Sequence, residues 1–375
     1  MKILVIGGTG TMGAPLVELL YPRNEVHVVC RKKREENQCL FYHYGDAKDE
    51  SFISSLFNRH RFDSIIDFCW YTSEEFQIRH QKLLNATNQY ICLSSSAVVA
   101  DGDIPFTESS PRYIEIAPPS AANNKEYHYE KARIEDILIK SKFQNWTIIR
   151  PHITYNDNHF GWGEYGEEDF LIRSMIGNVV IIPKDMLPRL SSMTYGGDVA
   201  KMIALLVGNN KAFGQIINVC SPQAMNWGEI LDVYKRIFHK YNIKLRCCYF
   251  KDSRSLQKAI PQLRYRYITD RLLNRVFSID KFEGITGEKF HFVNFEEQLD
   301  RCVGRYIATL GCHVTIKSAY SFAKYDKITK EWTPLKYFVS KRDKLTYIIF
   351  RIPGLSFPYR VIIRFKRFIK TKYNA

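Results

Sequence analysis

A tyrosine and a lysine four residues apart are the residues of this sequence best suited to acid–base chemistry. Tyr127 and Lys131 fall in the segment 127–141, whose apolar residues follow a helical spacing, so both side chains point from one face. A neighbouring ammonium group favours the phenolate form of tyrosine, and such a phenol exchanges a proton with a substrate hydroxyl near neutral pH. A run of three serines at 94–96 ends a predicted strand, where open α/β sheets bind ligands.

The Tyr–Lys spacing by itself is weak evidence, because the chain contains 23 tyrosines. Its weight comes from the order of the segments around it. A glycine loop comes first, then the serines at a strand end, then the Tyr–Lys helix, and then a further strand read from WTIIRP. These elements would have to bring the serines and the tyrosine to one edge of a parallel sheet.

The first thirty residues predict a strand, a glycine-rich loop, a helix and a second strand. The apolar run KILVI leads into GGTGTMG, and APLVELL and EVHVVC follow. Gly7, Gly10 and Gly13 would serve a tight turn, close approach of the backbone to a pyrophosphate, and close packing of helix on strand. The free N–H groups of the helix would then face the phosphates. The alternative is a glycine-rich turn that binds no ligand.

The end of the second strand indicates which dinucleotide would bind. NAD sites often place a carboxylate there, but this sequence has the basic run 31–34 and no acid. The guanidinium of Arg31 suits a 2′-phosphate, so we expect NADP or NAD, with NADP favoured. The alternative is a solvated basic turn. Asp46 follows the third predicted strand, and it either accepts a hydrogen bond from adenine or caps the next helix.

Taken together, these motifs resemble the extended branch of the short-chain dehydrogenase/reductase superfamily, which contains nucleotide-sugar epimerases, dehydratases and reductases. The resemblance covers about residues 1–310 and also includes the segments IIRPHITY, GGDVAKMIALL, GQIINVCS and SIDKFEGITG. It implies a Rossmann-type doubly wound parallel sheet of the α/β class, with a smaller C-terminal substrate subdomain. It also implies a sugar substrate carried by a nucleotide or a lipid diphosphate.

The resemblance assigns roles to individual residues. Ser96 takes the hydroxyl role, Tyr127 the acid–base role, and Lys131 holds the ribose and favours the phenolate. The expected cofactor-binding residues are Gly7, Gly10, Thr11, Met12, Gly13, Arg31, Asp46, Ser94, Lys131, Pro151 and Ile153. The expected substrate-binding residues are Ser95, His152 and Arg189.

Three departures from the family pattern narrow the expected function. Ala97 and Val98 stand where family dehydratases carry an Asp-Glu pair, so 4,6-dehydration is not expected. Ser191 stands where many relatives place an arginine for the diphosphate, and Arg189 lies two residues earlier. The IIDFCWY segment, with Asp67, resembles an atypical subgroup that includes chloroplast stem-loop RNA-binding proteins.

Three functions therefore stay open from the sequence. The first is an enzyme that acts on a sugar through hydride transfer, as an epimerase or a reductase. The second is an RNA-binding protein of the same fold, and the third is a dinucleotide sensor that binds a protein partner. An intact Ser–Tyr–Lys set favours the enzyme, and we do not expect nucleic acid binding, because residues 1–312 carry 39 basic against 36 acidic side chains.

The charge distribution predicts the domain organisation. Of the chain's net charge of +15, most lies in residues 313–375, which contain 15 Lys and Arg against 3 Asp and Glu. We expect one domain over 1–312, with a dinucleotide part mainly in 1–150 and a substrate part mainly in 151–312, followed by a basic extension. Apolar positions from Ile362 to Tyr373 predict an amphipathic helix that either attaches to an anionic membrane surface or packs on protein.

The cysteine pattern and the lack of a long apolar run indicate what to expect of metal sites, cellular location and membrane spanning. The nine cysteines form no CxxC pair and no ladder with histidine, so we expect no metal site and a reducing, cytoplasmic location. No stretch of about 18 or more apolar residues is present, so no simple spanning helix is expected. A homodimer is compatible with the sequence, which contains nothing that decides it.

Overall fold

The computed structural model describes residues 1–34, 38–118, 124–311 and 314–355. The strands are β1 (Lys2–Ile6), β2 (Glu25–Cys30), β3 (Leu40–Tyr44), β4 (Phe62–Asp67), β5 (Thr87–Leu93), β6 (Trp146–Arg150), β7 (Thr154–Tyr155), β8 (Val180–Pro183), β9 (Leu190–Ser191), β10 (Thr194–Tyr195), β11 (Gln215–Asn218), β12 (Met225–Asn226) and β13 (Cys247–Phe250). The helices are α1 (Gly13–Leu20), α2 (Glu50–Arg59), α3 (Ser73–Asn85), α4 (Tyr113–Ile116), α5 (Tyr127–Ile139), α6 (Arg173–Met175), α7 (Gly196–Leu206), α8 (Trp227–Lys240), α9 (Arg254–Ala259), α10 (Arg264–Arg266), α11 (Asp280–Thr286), α12 (Phe295–Leu310), α13 (Ala319–Thr329) and α14 (Lys341–Arg351).

Seven strands form one parallel sheet in the order β11-β6-β5-β4-β1-β2-β3. The inner strand β1 pairs with β2 on one side, where Ile3 lies opposite Val26, and with β4 on the other, where Ile3 lies opposite Ser64. The strand order reverses next to β1, as it does in doubly wound dinucleotide-binding folds. The predicted Rossmann-type α/β fold is confirmed.

Apolar side chains of the central strands alternate between two cores, one on each face of the sheet. Ile3 and Val5 belong to the core that includes residues of α1 and α7, whereas Leu4 and Ile6 belong to the core that includes residues of α2, α3 and α5. Strands buried on both faces read as continuous apolar runs, which explains KILVI at the start of the sequence. Each fully buried side chain of this kind contributes about 1.5–3 kcal/mol.

The chain divides into two compact units. The sheet unit consists of Met1–His159, Leu190–Met225 and Leu273–Cys302. The second unit consists of Phe160–Arg189, Asn226–Leu272 and the described residues from Val303 onwards. Inside the second unit, β8 pairs with β13, and the buried guanidinium of Arg173 lies 2.7 Å from the Asp326 carboxylate.

The amphipathic helix expected between Ile362 and Tyr373 lies outside the described residues, and its attachment to a membrane stays a prediction. In residues 314–355, two helices and a short turn pack around Phe322, Phe338 and Tyr347 within the second unit. Among the residues that the structure describes, no helix is both long and apolar enough to cross a membrane.

A buried ion pair fixes helix α5 to the sheet. Both nitrogens Nε and Nη2 of Arg150, at the end of β6, donate to the carboxylate of Glu135 at 2.8 and 2.7 Å. The hydroxyl of Ser94, just after β5, donates to the same carboxylate at 2.6 Å. Neither charged side chain is more than 1% exposed, and removing one member of such a pair costs about 3–5 kcal/mol.

Candidate active site

The glycine loop between β1 and α1 leaves its centre open. Gly7 has φ of 78°, which turns the chain sharply, and the N–H of Gly10 donates to the carbonyl of Gly7 at 3.2 Å. A Cβ on Gly13 would lie 2.5 Å from the Gly7 oxygen, so no larger residue fits without a backbone shift. A Cβ on Gly10 would meet nothing closer than 3.5 Å, so the fold itself does not demand glycine there.

Helix α5 carries Tyr127 and Lys131 at its N-terminal end. The ammonium group of the buried Lys131 donates to the carbonyl of Leu93, the last residue of β5, at 2.7 Å. The same nitrogen lies 5.9 Å from the centre of the Tyr127 ring, whose side chain is half-buried. The lysine therefore lies between the tyrosine and the carboxyl end of the strand that precedes the serines.

Ser96 begins a short 3-10 turn after β5, rather than ending the strand as the sequence predicted. The side chain of Ser95 accepts the N–H of Ala97 and caps this turn, and the N–H of Ser96 donates to the Pro151 carbonyl at 3.0 Å. Strand β5 therefore ends at Leu93.

A histidine links Ser96 to a second serine. The hydroxyl oxygen of Ser96 lies 2.8 Å from Nδ1 of His152, and Nε2 of His152 lies 3.3 Å from the hydroxyl oxygen of Ser191. All three side chains are buried. When Ser96 donates to His152, the ring nitrogen on the other side donates to Ser191, so the two contacts select one tautomer. The sequence predicted His152 as a substrate-binding residue. Ser191 was noted only as the position where many relatives have an arginine.

Arg275 is a residue of this site that sequence reasoning missed. Its buried guanidinium donates to the carbonyl oxygens of Ser96 and Val99 at 3.0 Å each, and it lies 5.1 Å from the centre of the Phe106 ring. An arginine that bonds two backbone carbonyls holds the turn after β5 in one conformation. It lies about 180 positions from its partners along the chain, and no local pattern identifies it.

The electrostatics around the tyrosine come from buried groups of the same unit. Burial and the charge of Arg275 lower the pKa of His128 to about 4, so the ring beside Tyr127 in the chain is neutral. Burial raises the pKa of Asp67, at the end of β4, to about 6, although its carboxylate accepts the hydroxyls of Tyr71 and Tyr90 and lies in the field of Lys131. Asp67 is therefore a buried carboxyl at this edge of the sheet that holds its proton more tightly than an exposed aspartate does.

The remaining predicted cofactor residues follow the strand ends. Arg31 is exposed directly after β2. Asp46 follows β3 and accepts the N–H of Lys48 at 2.9 Å, while Asp49 caps α2, so the capping alternative for Asp46 is wrong. Ser94 bonds the Glu135 carboxylate.

Other predicted positions are distributed over both units. Thr11 and Met12 are half-buried residues of the glycine loop, and the Thr11 carbonyl accepts a hydrogen bond from the side-chain amide of Asn156 at 3.3 Å. Pro151 is buried after β6, and Ile153 has φ of 21°, a conformation that β-branched residues rarely adopt. Arg189 belongs to the second unit, where its side chain is exposed.

The open loop fits a pyrophosphate. Helix α1 begins without a side-chain hydrogen bond to its first N–H groups, because Met12 occupies the cap position. The space over Gly10 allows a phosphate to approach the backbone and these N–H groups. Loop, strand order and Tyr–Lys helix together define a dinucleotide-binding enzyme of the Rossmann type.

The sequence matches the model of the NAD-dependent epimerase/dehydratase family over residues 3–220, so the chain belongs to this family. Membership confirms the predicted superfamily and the predicted class of NAD(P)-dependent enzyme, and the family description specifies NAD. No curated protein matches the sequence.

Solved structures share the fold at low sequence identity. MoeE5, solved with UDP-glucuronic acid and NAD, is 16% identical with a TM-score of 0.61, over 83% of this chain and 100% of its own. UDP-glucose 4-epimerase of Thermotoga maritima, solved with UDP-glucose, is 17% identical with a TM-score of 0.59, over 83% and 100%. UDP-N-acetylglucosamine 4-epimerase of Methanobrevibacter ruminantium is 16% identical with a TM-score of 0.59, over 82% and 98%.

Replacing Gly10 by alanine should separate binding from folding. The new methyl group has only ordinary contacts in the fold, so the melting temperature should stay close to that of the wild type. The same methyl group lies where the pyrophosphate would approach, so we expect at least about a tenfold loss of dinucleotide affinity, or about 1.4 kcal/mol. The measurements are thermal unfolding and titration calorimetry.

Gly13→Ala provides the contrast, because its methyl group meets three backbone atoms at 2.5–3.0 Å and should lower the melting temperature. Wild-type dinucleotide affinity in Gly10→Ala would show that the loop does not hold the pyrophosphate.

Replacing Asp67 by asparagine should remove a pH dependence of stability. The pKa of this carboxyl is about 6 in the fold and near 3.8 when unfolded, so the folded chain holds the proton more tightly between these values. The resulting stabilisation is complete below about pH 4, is lost as the pH rises through about 6, and amounts to about 3 kcal/mol at most. Chemical denaturation over this pH range measures it.

Asp101→Asn, at an exposed loop position, is the control and should keep the wild-type profile. If the unfolding free energy of Asp67→Asn varies with pH as the wild type does, the carboxyl does not titrate as described.

Proposed function

We propose that this protein is an NAD(P)-dependent epimerase or reductase that acts on a sugar carried by a nucleotide or a lipid diphosphate. The observation that carries the proposal is the placement of Lys131, whose ammonium group reaches the end of β5 beside the Tyr127 ring. Ser96 follows the same strand end, and the turn that contains it packs against α5. A pure binding protein has no need of a phenol and an ammonium group in this arrangement.

When bound, the nicotinamide ring takes a hydride from a sugar carbon or gives one to it. The residues Gly7, Gly10 and Gly13 would hold the pyrophosphate, and Lys131 would hold the ribose. Tyr127 would take the proton from the sugar hydroxyl at its phenolate oxygen and would return it when the carbonyl is reduced again. Lys131 would place its positive charge near the phenol, since its ammonium nitrogen lies 5.9 Å from the centre of the Tyr127 ring.

Ser96 would hydrogen-bond the same sugar oxygen as Tyr127. Its hydroxyl contacts His152, which in turn contacts Ser191. Ser96 can therefore donate its hydroxyl hydrogen to His152 while its oxygen accepts a hydrogen bond from the substrate. Arg275 keeps the backbone of Ser96 in place through its carbonyl. These residues position the hydroxyl without taking part in bond cleavage.

The substrate class is supported by the family and by the ligands of proteins with the same fold. MoeE5 was solved with UDP-glucuronic acid and with UDP-glucose, and the Bifidobacterium longum UDP-glucose 4-epimerase was solved with NAD⁺ and UDP. Ala97 and Val98 provide no acid–base pair after Ser96, so we do not propose a dehydratase.

Mass spectrometry of the dinucleotide released on denaturation distinguishes epimerisation from reduction. Retained NAD supports epimerisation, and an empty site that binds NADPH supports reduction.

We also propose that NADP is preferred over NAD. The exposed guanidinium of Arg31 follows β2, and no carboxylate stands beside it in the run 31–34. Arg31→Asp should weaken NADPH binding by at least about tenfold and leave NADH binding within a few-fold, because the arginine bonds a 2′-phosphate that NADH lacks. Fluorescence titration measures both affinities. Equal effects on both dinucleotides would contradict the preference.

Tyr127→Phe should reduce turnover by about 10²–10⁴-fold and leave dinucleotide binding within a few-fold, because only the proton-carrying oxygen is removed. Tyr129→Phe makes the same change two residues further along α5, at a buried ring, and is the matched control. Turnover is measured by NMR with a panel of UDP-, GDP- and dTDP-hexoses, with NAD or NADPH present.

Lys131→Met should impair both turnover and dinucleotide binding, because Lys131 would hold the ribose of the dinucleotide and also lies beside the Tyr127 ring. Near-wild-type turnover of Tyr127→Phe on a substrate that the wild type converts would contradict the acid–base assignment. Dinucleotide binding with no conversion of any sugar would instead favour a sensing role.

A further inference from the structure

Three histidines that lie far apart in the sequence meet at one place in the sheet unit. His27 lies on β2, His43 on β3, and His60 immediately after α2. One ring nitrogen from each lies within 4.8 Å of the other two. His27 is buried, and the other two are half-buried.

The parallel register brings two of these rings together. His27 lies opposite Phe41, and His43 lies opposite Val29, so the side chains of His27 and His43 point to the same face of the sheet. Nδ1 of His27 lies 2.7 Å from Nε2 of His43. The ring of His60 lies 4.9 Å from the ring of His27 and 5.6 Å from the ring of His43, measured between centres.

A carboxylate orients the buried ring from behind. Nε2 of His27 lies 2.8 Å from the carboxylate of Glu25, which also pairs with the ammonium group of Lys2 at 3.0 Å. When Nε2 donates its proton to the carboxylate, the lone pair of Nδ1 faces the other two rings. This is the arrangement by which metal-bound histidines are usually held.

We propose that His27, His43 and His60 bind a divalent transition metal ion of the zinc type, with Glu25 orienting His27. Three imidazoles and a water molecule form a normal tetrahedral set for Zn²⁺. With Zn–N bonds of about 2.0–2.1 Å, the ligand atoms lie roughly 3.3 Å apart, so nitrogens already within 4.8 Å need only small ring rotations. The ammonium nitrogen of Lys2 lies 3.1 Å from Nδ1 of His60. The positive charge of Lys2 is balanced by the carboxylate of Glu25.

The location indicates a structural role. Lys2 and Glu25 open β1 and β2, and His60 precedes β4, so these residues lie toward the amino ends of their strands, whereas His43 is the fourth residue of β3. The glycine loop and Ser96 follow the carboxyl ends of β1 and β5, and Asp67 is the last residue of β4, so all three lie at the carboxyl edge of the sheet. The metal would join β2, β3 and the segment between α2 and β4, without touching the candidate active site. The proposal therefore does not depend on the proposed function.

Zinc titration of the untagged full chain tests the site, after metal is stripped with a chelator. We expect one Zn²⁺ per chain, a higher melting temperature with zinc, and the intense visible absorption of tetrahedral cobalt when Co²⁺ is the probe. His43→Gln and His60→Gln should each lower zinc affinity by at least about tenfold, and Glu25→Gln by about 10–100-fold. His291→Gln, at an exposed position of the same unit, is the control and should bind as the wild type does.

Circular dichroism shows which variants fold. If His43→Gln does not fold, the decision falls to His60→Gln, whose histidine follows the last residue of α2. Zinc binding that is unchanged in a folded His60→Gln or His43→Gln variant overturns the proposal. Absence of a stoichiometric site in the wild type also overturns it, and the three rings are then a hydrogen-bonded and stacked cluster only.

Discussion

The candidate active site depends on one buried ion pair, between Arg150 at the end of β6 and Glu135 in the middle of α5. Each charge is removed from water, so the pair is stable only while both partners keep their hydrogen bonds. Ser94 adds a third anchor from the end of β5. Helix α5 therefore cannot slide along the sheet without leaving a charge unpaired. This restraint fixes the position of its N-terminal end, which carries Tyr127 and Lys131, relative to the strand ends.

A second set of polar contacts fixes the other half of the site. The turn that starts at Ser96 is held by its N–H bond to Pro151, by the guanidinium of Arg275 and by the contact with His152. Apolar packing alone tolerates small rotations of a side chain, whereas hydrogen bonds in a buried setting do not. The end of β5 determines the approximate position of Ser96, and these hydrogen bonds determine the direction of its hydroxyl group.

Patterns local in sequence predicted the fold well. The glycine loop, the apolar runs of β1 and β2 and the helical spacing of α5 each lie within one element, so composition and period reveal them. Glu135, Arg275 and Ser191 were missed because their partners lie in distant segments. Glu135 left one weak signal, since it falls four residues after Lys131 on the same face of α5. The three clustered histidines left none, because 27, 43 and 60 follow no motif spacing.

The position of β1 inside the sheet, between β4 and β2, has a consequence for synthesis. The strand emerges from the ribosome before the other strands of the sheet, but its partner on one side, β4, follows about 60 residues later, since Ile3 pairs with Ser64. At about 5–20 residues per second, one edge of an apolar strand stays unpaired for roughly 3–12 seconds. During that interval, the unpaired edge of this apolar strand is exposed to wrong pairing and to chaperones.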